Sequence, residues 1–120
     1  MEKTFTHVNY LWNEQEAAEL GDDQVALFLY RSNILGADLR ITNYGGGNTS
    51  CKTIEKDPLT NEEVEVMWVK GSGGDIGTLT RAGIAGLYTE RLRNLKNVYG
   101  GLEDEDRMVG LFNHCIYDLD

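Results

Sequence analysis

Three consecutive glycines, Gly45-Gly46-Gly47, constrain this chain more than any other feature. Glycine loses more backbone freedom on ordering than any other residue, so such a run marks a turn or nest rather than the interior of a regular element. A second glycine-rich run, Lys70-Gly71-Ser72-Gly73-Gly74-Asp75-Ile76-Gly77-Thr78-Leu79, lies downstream. Each run follows a segment that reads as a strand. Leu39, Ile41 and Asn43 alternate with other residues before the first run. Val64, Val66 and Trp68, continued by Val69, give the clearest strand pattern before the second. Residues Thr49–Ile54 suit a returning strand, and the polar segment 55–62, which holds the only proline, Pro58, suits a hairpin end.

Helical signals flank these strands. Asn13 is a candidate N-cap for a helix reaching Leu20, with Glu16 as its capping-box partner and Gly21 as the stop. A second helix starts near Asp22, presents Val25, Ala26, Leu29 and Tyr30 toward a sheet, and ends over Asn33–Gly36. Thr80 is the expected N-cap of a long helix over about residues 81–98, striped by Ile84, Leu87, Leu92 and Leu95 and ended by Gly100 and Gly101. The acidic run Glu103–Asp106 opens a last helix through Tyr117, where negative charge favours the positive helix end. The pattern predicts an α/β or α+β layer arrangement with at least one antiparallel hairpin.

With 41% hydrophobic and 26% charged residues over 120 positions, the chain belongs among soluble globular proteins, and one domain is expected. Net charge is -9 without a run of Lys or Arg, which argues against a nucleic-acid partner. A small phosphorylated ligand remains compatible, because backbone N–H groups bind anions inside an acidic protein. Cys51 and Cys115 match no metal or redox spacing and are expected to be reduced and half-buried in a cytoplasmic protein. The N-terminal residues Glu2, Asn9, Trp12, Asn13 and Glu14 do not form a signal peptide, and no apolar run is long enough to span a membrane.

The first glycine run lacks the spacing of a dinucleotide fingerprint, and the second lacks the terminal Gly-Lys-Ser/Thr of a phosphate loop. Read singly, each is a plain turn sooner than a ligand site. A nucleotide module would also require a helix directly after the glycines, and the expected helix begins too far beyond Gly73. Together, two glycine turns at adjacent strand ends can aim donors at one point. Asn48 and Thr49 add an amide and a hydroxyl, Ser72 another hydroxyl, and Lys70 a positive charge.

The segments Gly46-Gly47-Asn48-Thr49-Ser50 and Val69-Lys70-Gly71-Ser72-Gly73 resemble the paired N-terminal motifs of the class II aldolase and adducin head family. Tyr30–Gly36, Asn43–Lys52, Trp68–Asp75 and Asn113-His114-Cys115 extend that resemblance over nearly the whole chain. They bring it nearest to the aldolase half of bacterial bifunctional rhamnulose-1-phosphate aldolase/alcohol dehydrogenase proteins. The resemblance implies the N-terminal portion of a three-layer α/β/α sandwich around a largely antiparallel sheet. It implies reversible cleavage of rhamnulose 1-phosphate, or a related ketose 1-phosphate, to dihydroxyacetone phosphate and an aldehyde. Gly47, Asn48, Gly71 and Ser72 are then the phosphate-site candidates, with Thr49, Lys70, Gly73 and Asp75 as additional substrate-site candidates.

The same resemblance implies a divalent metal, zinc, held by three histidines in the full protein. This chain has only His7 and His114, read as packing or surface residues, so no metal ligand or catalytic residue is assigned within it. Asp75 reads as a loop cap sooner than as a substrate group, and Glu103–Asp106 as a solvated helix start. The catalytic acid and the metal histidines are expected beyond Asp120, where the segment Ile116–Asp120 lacks a helix stop. The isolated chain is therefore expected to be an inactive fragment. Homo-oligomerisation and a following dehydrogenase domain are further implications. The alternative is a non-enzymatic assembly domain comparable to the adducin head. Trp12, Tyr30, Trp68, Tyr88 and Tyr99 are assigned to packing on separate elements, and Arg81, Arg91, Arg93 and Lys96 to the solvent face of the long helix.

Overall fold

A computed structural model describes residues 10–43 and 45–118. His7 and Tyr44 fall outside the described residues. The chain divides into two compact units. One joins the residues up to Thr49 with Lys70–Ile84; the other joins Ser50–Val69 with the chain from Ala85 onward.

In the first unit, α1 spans Glu14–Glu19 and α2 spans Gln24–Ala37. Asn13 caps α1 by accepting the Glu16 N–H at 2.9 Å. The expected return bond from the Glu16 side chain is relayed instead through Tyr30. The Tyr30 hydroxyl accepts the Asn13 N–H at 3.1 Å and donates to Glu16 Oε2 at 2.8 Å. Trp12 packs edge-on against Tyr30 at 5.1 Å. Asp23 caps α2 by accepting from Ala26 N–H at 3.0 Å.

Helix α2 ends at Ala37, one residue beyond the expected 33–36. Its buried residues Val25, Phe28, Ser32 and Gly36 continue one stripe to the last turn, whose main neighbour is a 3-10 turn, Ile76–Thr78. The strand expected over Leu39–Asn43 is a helix-terminating turn. Asp38 accepts from the Arg40 backbone and guanidinium, its carbonyl accepts from Ile41 and Thr42 N–H, and Leu39 and Ile41 stay half-exposed. Local side-chain bonds outcompete strand pairing here.

In the second unit, β1 (Ser50–Lys56) and β2 (Glu63–Lys70) form the expected antiparallel hairpin, with Cys51 opposite Trp68 and Thr53 opposite Val66. Asp57 closes its turn, accepting from Leu59 and Thr60 N–H, while Asn61 takes the left-handed conformation at φ 60°.

The long helix expected over 81–98 is three elements. A 3-10 turn at Arg81–Gly83 leads into β3 (Ile84–Tyr88), which completes the sheet order β1-β2-β3, and α3 covers only Thr89–Val98. Thr80 makes no side-chain cap. Two glycines in Ala82-Gly83-Ile84-Ala85-Gly86 cost a helix interior about 1 kcal/mol each. Gly86 is also required where it is, since a Cβ there would lie 2.8 Å from the Trp68 ring. Arg81 is accordingly not on α3.

The last helix is likewise shorter than expected: α4 spans Glu105–Leu111 and continues as a 3-10 turn, Phe112–Cys115. The chain then turns back, with Tyr117 N–H donating to Gly86 carbonyl at 2.8 Å and Ile116 bridging Leu87. Cys115 is fully buried rather than half-buried, and no disulfide joins the two cysteines. The aromatics assigned to separate packing roles partly meet: Tyr117 stacks edge-on with both Trp68 and Tyr88.

Candidate functional site

Both glycine loops belong to the first unit. Two backbone bonds tie them together. Lys70 N–H donates to Thr49 carbonyl at 3.1 Å where the loops leave the hairpin, and Ile76 N–H donates to Gly46 carbonyl at 3.4 Å farther along. The antiparallel register makes this juxtaposition: the residue entering β1 and the residue leaving β2 share one end of the ladder.

Gly47 sits at φ 96°, and a Cβ would meet the Ile76 side chain at 3.0 Å. The conformation favours glycine there, and a side chain would also require Ile76 to give by a few tenths of an ångström. The next residue, Asn48, is exposed and makes no hydrogen bond among the described residues; Ser72 on the opposite loop is in the same condition. Gly73 follows at φ 91° with open space around it. Asn48 and Ser72 thus leave an amide and a hydroxyl exposed, with open space at Gly73.

The remaining candidates are differently engaged. Gly71 N–H donates to Gly83 carbonyl at 2.9 Å, so it is committed to the strand pairing. Thr49 Oγ1 lies 2.9 Å from Ser32 Oγ, which itself donates to Phe28 carbonyl at 2.9 Å. Because Ser32 has a single hydroxyl proton, Thr49 is the donor of that pair, and its hydroxyl holds the loop. Lys70 Nζ donates to Gly71 carbonyl at 3.2 Å and keeps two further donors. Asp75 is half-buried, and its Oδ1 is shielded with no donor.

Two residues of α2 reach the same loops. Alongside Ser32, Asn33 donates its amide to the carbonyls of Ile76 (2.9 Å) and Leu79 (3.1 Å). The sequence marks the surrounding segment, but no role follows from it there; the usable signal is two polar residues on the buried side of a helix.

Among the described residues no three His, Cys, Asp or Glu side chains are grouped to hold a metal ion. His114 is exposed, and its carbonyl accepts from the Arg91 guanidinium at 2.8 Å. The residues present therefore do not fit the metal site that the fold family implies. The second unit has a separate 480 Å³ cleft, lined in part by Asp57, Glu63, Glu65, Tyr88, Arg91 and Arg93. Its lining is net acidic, with Glu90 a fourth carboxylate against the two arginines, and Arg93 lies 3.6 Å from Glu65.

The N-terminal class II aldolase domain of a conserved protein from Thermoplasma acidophilum superposes on this chain with a TM-score of 0.65 and 28% identity, covering 96% of this chain and 49% of that one. This chain has a class II aldolase-type fold. The described helices and strands are thus part of an aldolase-like α/β catalytic scaffold. No family model matches. An uncharacterized oxidoreductase of Bacillus subtilis, YuxG, is 40% identical over 111 residues, which are 92% of this chain and 16% of that protein. The chain thus spans about half of the matched solved chain and about a sixth of the curated relative. No helix among the described residues is long and apolar enough to cross a membrane.

Proposed function

We propose that these 120 residues supply the phosphate-binding loops of an aldolase, and that the whole protein cleaves a ketose 1-phosphate such as rhamnulose 1-phosphate. The products are dihydroxyacetone phosphate and an aldehyde, in a reversible reaction. The observation that carries this reading is the pairing of the two glycine loops through Thr49–Lys70 and Gly46–Ile76, with Asn48 and Ser72 beside them making no hydrogen bond among the described residues.

In this reading the Asn48 amide and Ser72 hydroxyl donate to phosphate oxygens, and Lys70 adds charge-assisted donors. Gly47 and Gly73 let the backbone approach the anion closely, and Gly71 contributes by lacking a side chain, since its N–H is already used. Thr49 orients the first loop. Asp75, half-buried beside the second loop with its Oδ1 shielded, is an additional substrate-site candidate.

A divalent metal, zinc by family resemblance, and its ligands belong to the rest of the protein, as does the catalytic acid. The oxidoreductase name of the Bacillus subtilis relative supports an oxidoreductase domain in the same polypeptide. A homo-oligomer and a cytoplasmic location complete the proposal.

The test is a retro-aldol assay of the full-length protein with ketose 1-phosphates, coupled to detection of dihydroxyacetone phosphate. Asn48→Ala and Ser72→Ala should each raise KM about tenfold or more, the equivalent of one hydrogen bond to a charged group. No cleavage, or unchanged KM in both variants, would count against the proposal.

A further inference from the structure

We infer that Ser32 and Asn33, adjacent on α2, are positioning residues that set the spacing of the two loops, each holding one of them. The inference rests on the phosphate-site reading above. It adds residues that neither glycine motif contains.

Ser32 is fully buried, and its hydroxyl is saturated locally: it donates to Phe28 carbonyl one helical turn back and accepts from Thr49. The Thr49 hydroxyl is thereby pinned to a rigid helix, immediately after Asn48. Asn33 divides its amide between two carbonyls of the other loop, Ile76 and Leu79, fixing both ends of that turn. A bifurcated grip of this kind fixes orientation as well as distance, because both amide protons lie in one plane.

The helix also approaches the second loop more closely than any side chain would permit. A Cβ on Gly36 would fall 2.2 Å from Gly77 N. This close approach brings Asn33, one turn earlier on the same helix, within reach of Ile76 and Leu79. Helix α2 thus acts as a spacer: its Ser32 and Asn33 are fixed relative to one another by helical geometry, so the two loops are fixed relative to one another too. Phosphate recognition needs that, since donors displaced by an ångström no longer converge on one anion.

The experiment uses the 120-residue chain, with inorganic phosphate and dihydroxyacetone phosphate as probes. Affinity is measured by calorimetry, and the ligand-free amide resonances of both loops by NMR. Ser32→Ala should move the Gly46–Thr49 resonances, and Asn33→Ala those of Ser72–Leu79. Each should weaken phosphate binding roughly three- to tenfold, the fold-change of one net hydrogen bond. Ser32→Thr, which keeps the hydroxyl, should restore the first effect.

Variants that bind phosphate as the parent does, with unmoved loop resonances, would overturn the inference. Loss of binding through general unfolding is recognised by collapse of resonances across both units, and Ser32→Thr then decides: failure to rescue counts against positioning. A parent chain that binds neither probe overturns the phosphate reading itself. In that case the loop-specific resonance shifts still decide whether Ser32 and Asn33 hold the loops.

Discussion

The indole N–H of Trp68 donates to Thr53 Oγ1 across the β1–β2 hairpin at 2.8 Å, and both residues are buried. Thr53 in turn donates to Glu55 Oε1 at 2.8 Å, so its hydroxyl is fully used. Thr53→Val keeps the shape but leaves the indole donor buried without a partner, at a cost of about 1–3 kcal/mol. Urea unfolding should show a lower midpoint with an unchanged m-value. Thr53→Ser, which retains the acceptor, should remain much nearer the parent.

Asp57 and Tyr88 make stability depend on pH in opposite directions. Backbone N–H donation from Leu59, then Thr60, holds the Asp57 carboxyl below its ordinary 3.8, with help from Tyr88 and Arg91. Its contribution is fully present above 3.8 and is lost as pH falls through the depressed value. Burial, followed by the bond to Asp57, raises the Tyr88 phenol above 10.0. That contribution is complete below 10.0 and disappears as pH rises through the elevated value. Unfolding midpoints across pH should fall at both extremes. Asp57→Asn should reduce the acid limb; an unaltered acid limb would contradict the assignment.

Asp23 performs two tasks of unequal worth. It caps α2, and it also receives Arg81 Nη2 at 2.6 Å, with both side chains about half-exposed. Asp23→Ala should cost about 1 kcal/mol through loss of the cap. Arg81→Ala should cost at most about 0.5 kcal/mol, because an exposed ion pair contributes little. Equal losses in chemical denaturation would reverse that ranking.

Local chemistry was legible where it acts alone. Asn13 as a cap, the hairpin turn at Asp57–Glu62, and the alternation of Val64, Val66 and Trp68 all follow from nearest-neighbour rules, and the structure has each of them. The errors lie where a long-range or unusual partner decides. Ile84 and Leu87 fit a helical stripe, yet Trp68 covering Gly86 makes the segment a strand. Leu39 and Ile41 fit alternation, yet the Asp38 carboxylate folds the segment into a turn. At the candidate site the glycine loops were readable from composition, while Ser32 and Asn33 were not. Their partners lie 17 and more than 40 residues away, beyond the reach of any local pattern.

In the proposed site two loops bind one phosphate. The most direct test is an amide NMR titration of this chain with dihydroxyacetone phosphate. The account predicts that Asn48, Ser72 and Gly73 shift together on a single binding curve, while residues around Tyr88 and Arg91 in the second unit stay fixed. Shifts in one loop only, or confined to the cleft between Asp57 and Arg93, would contradict it.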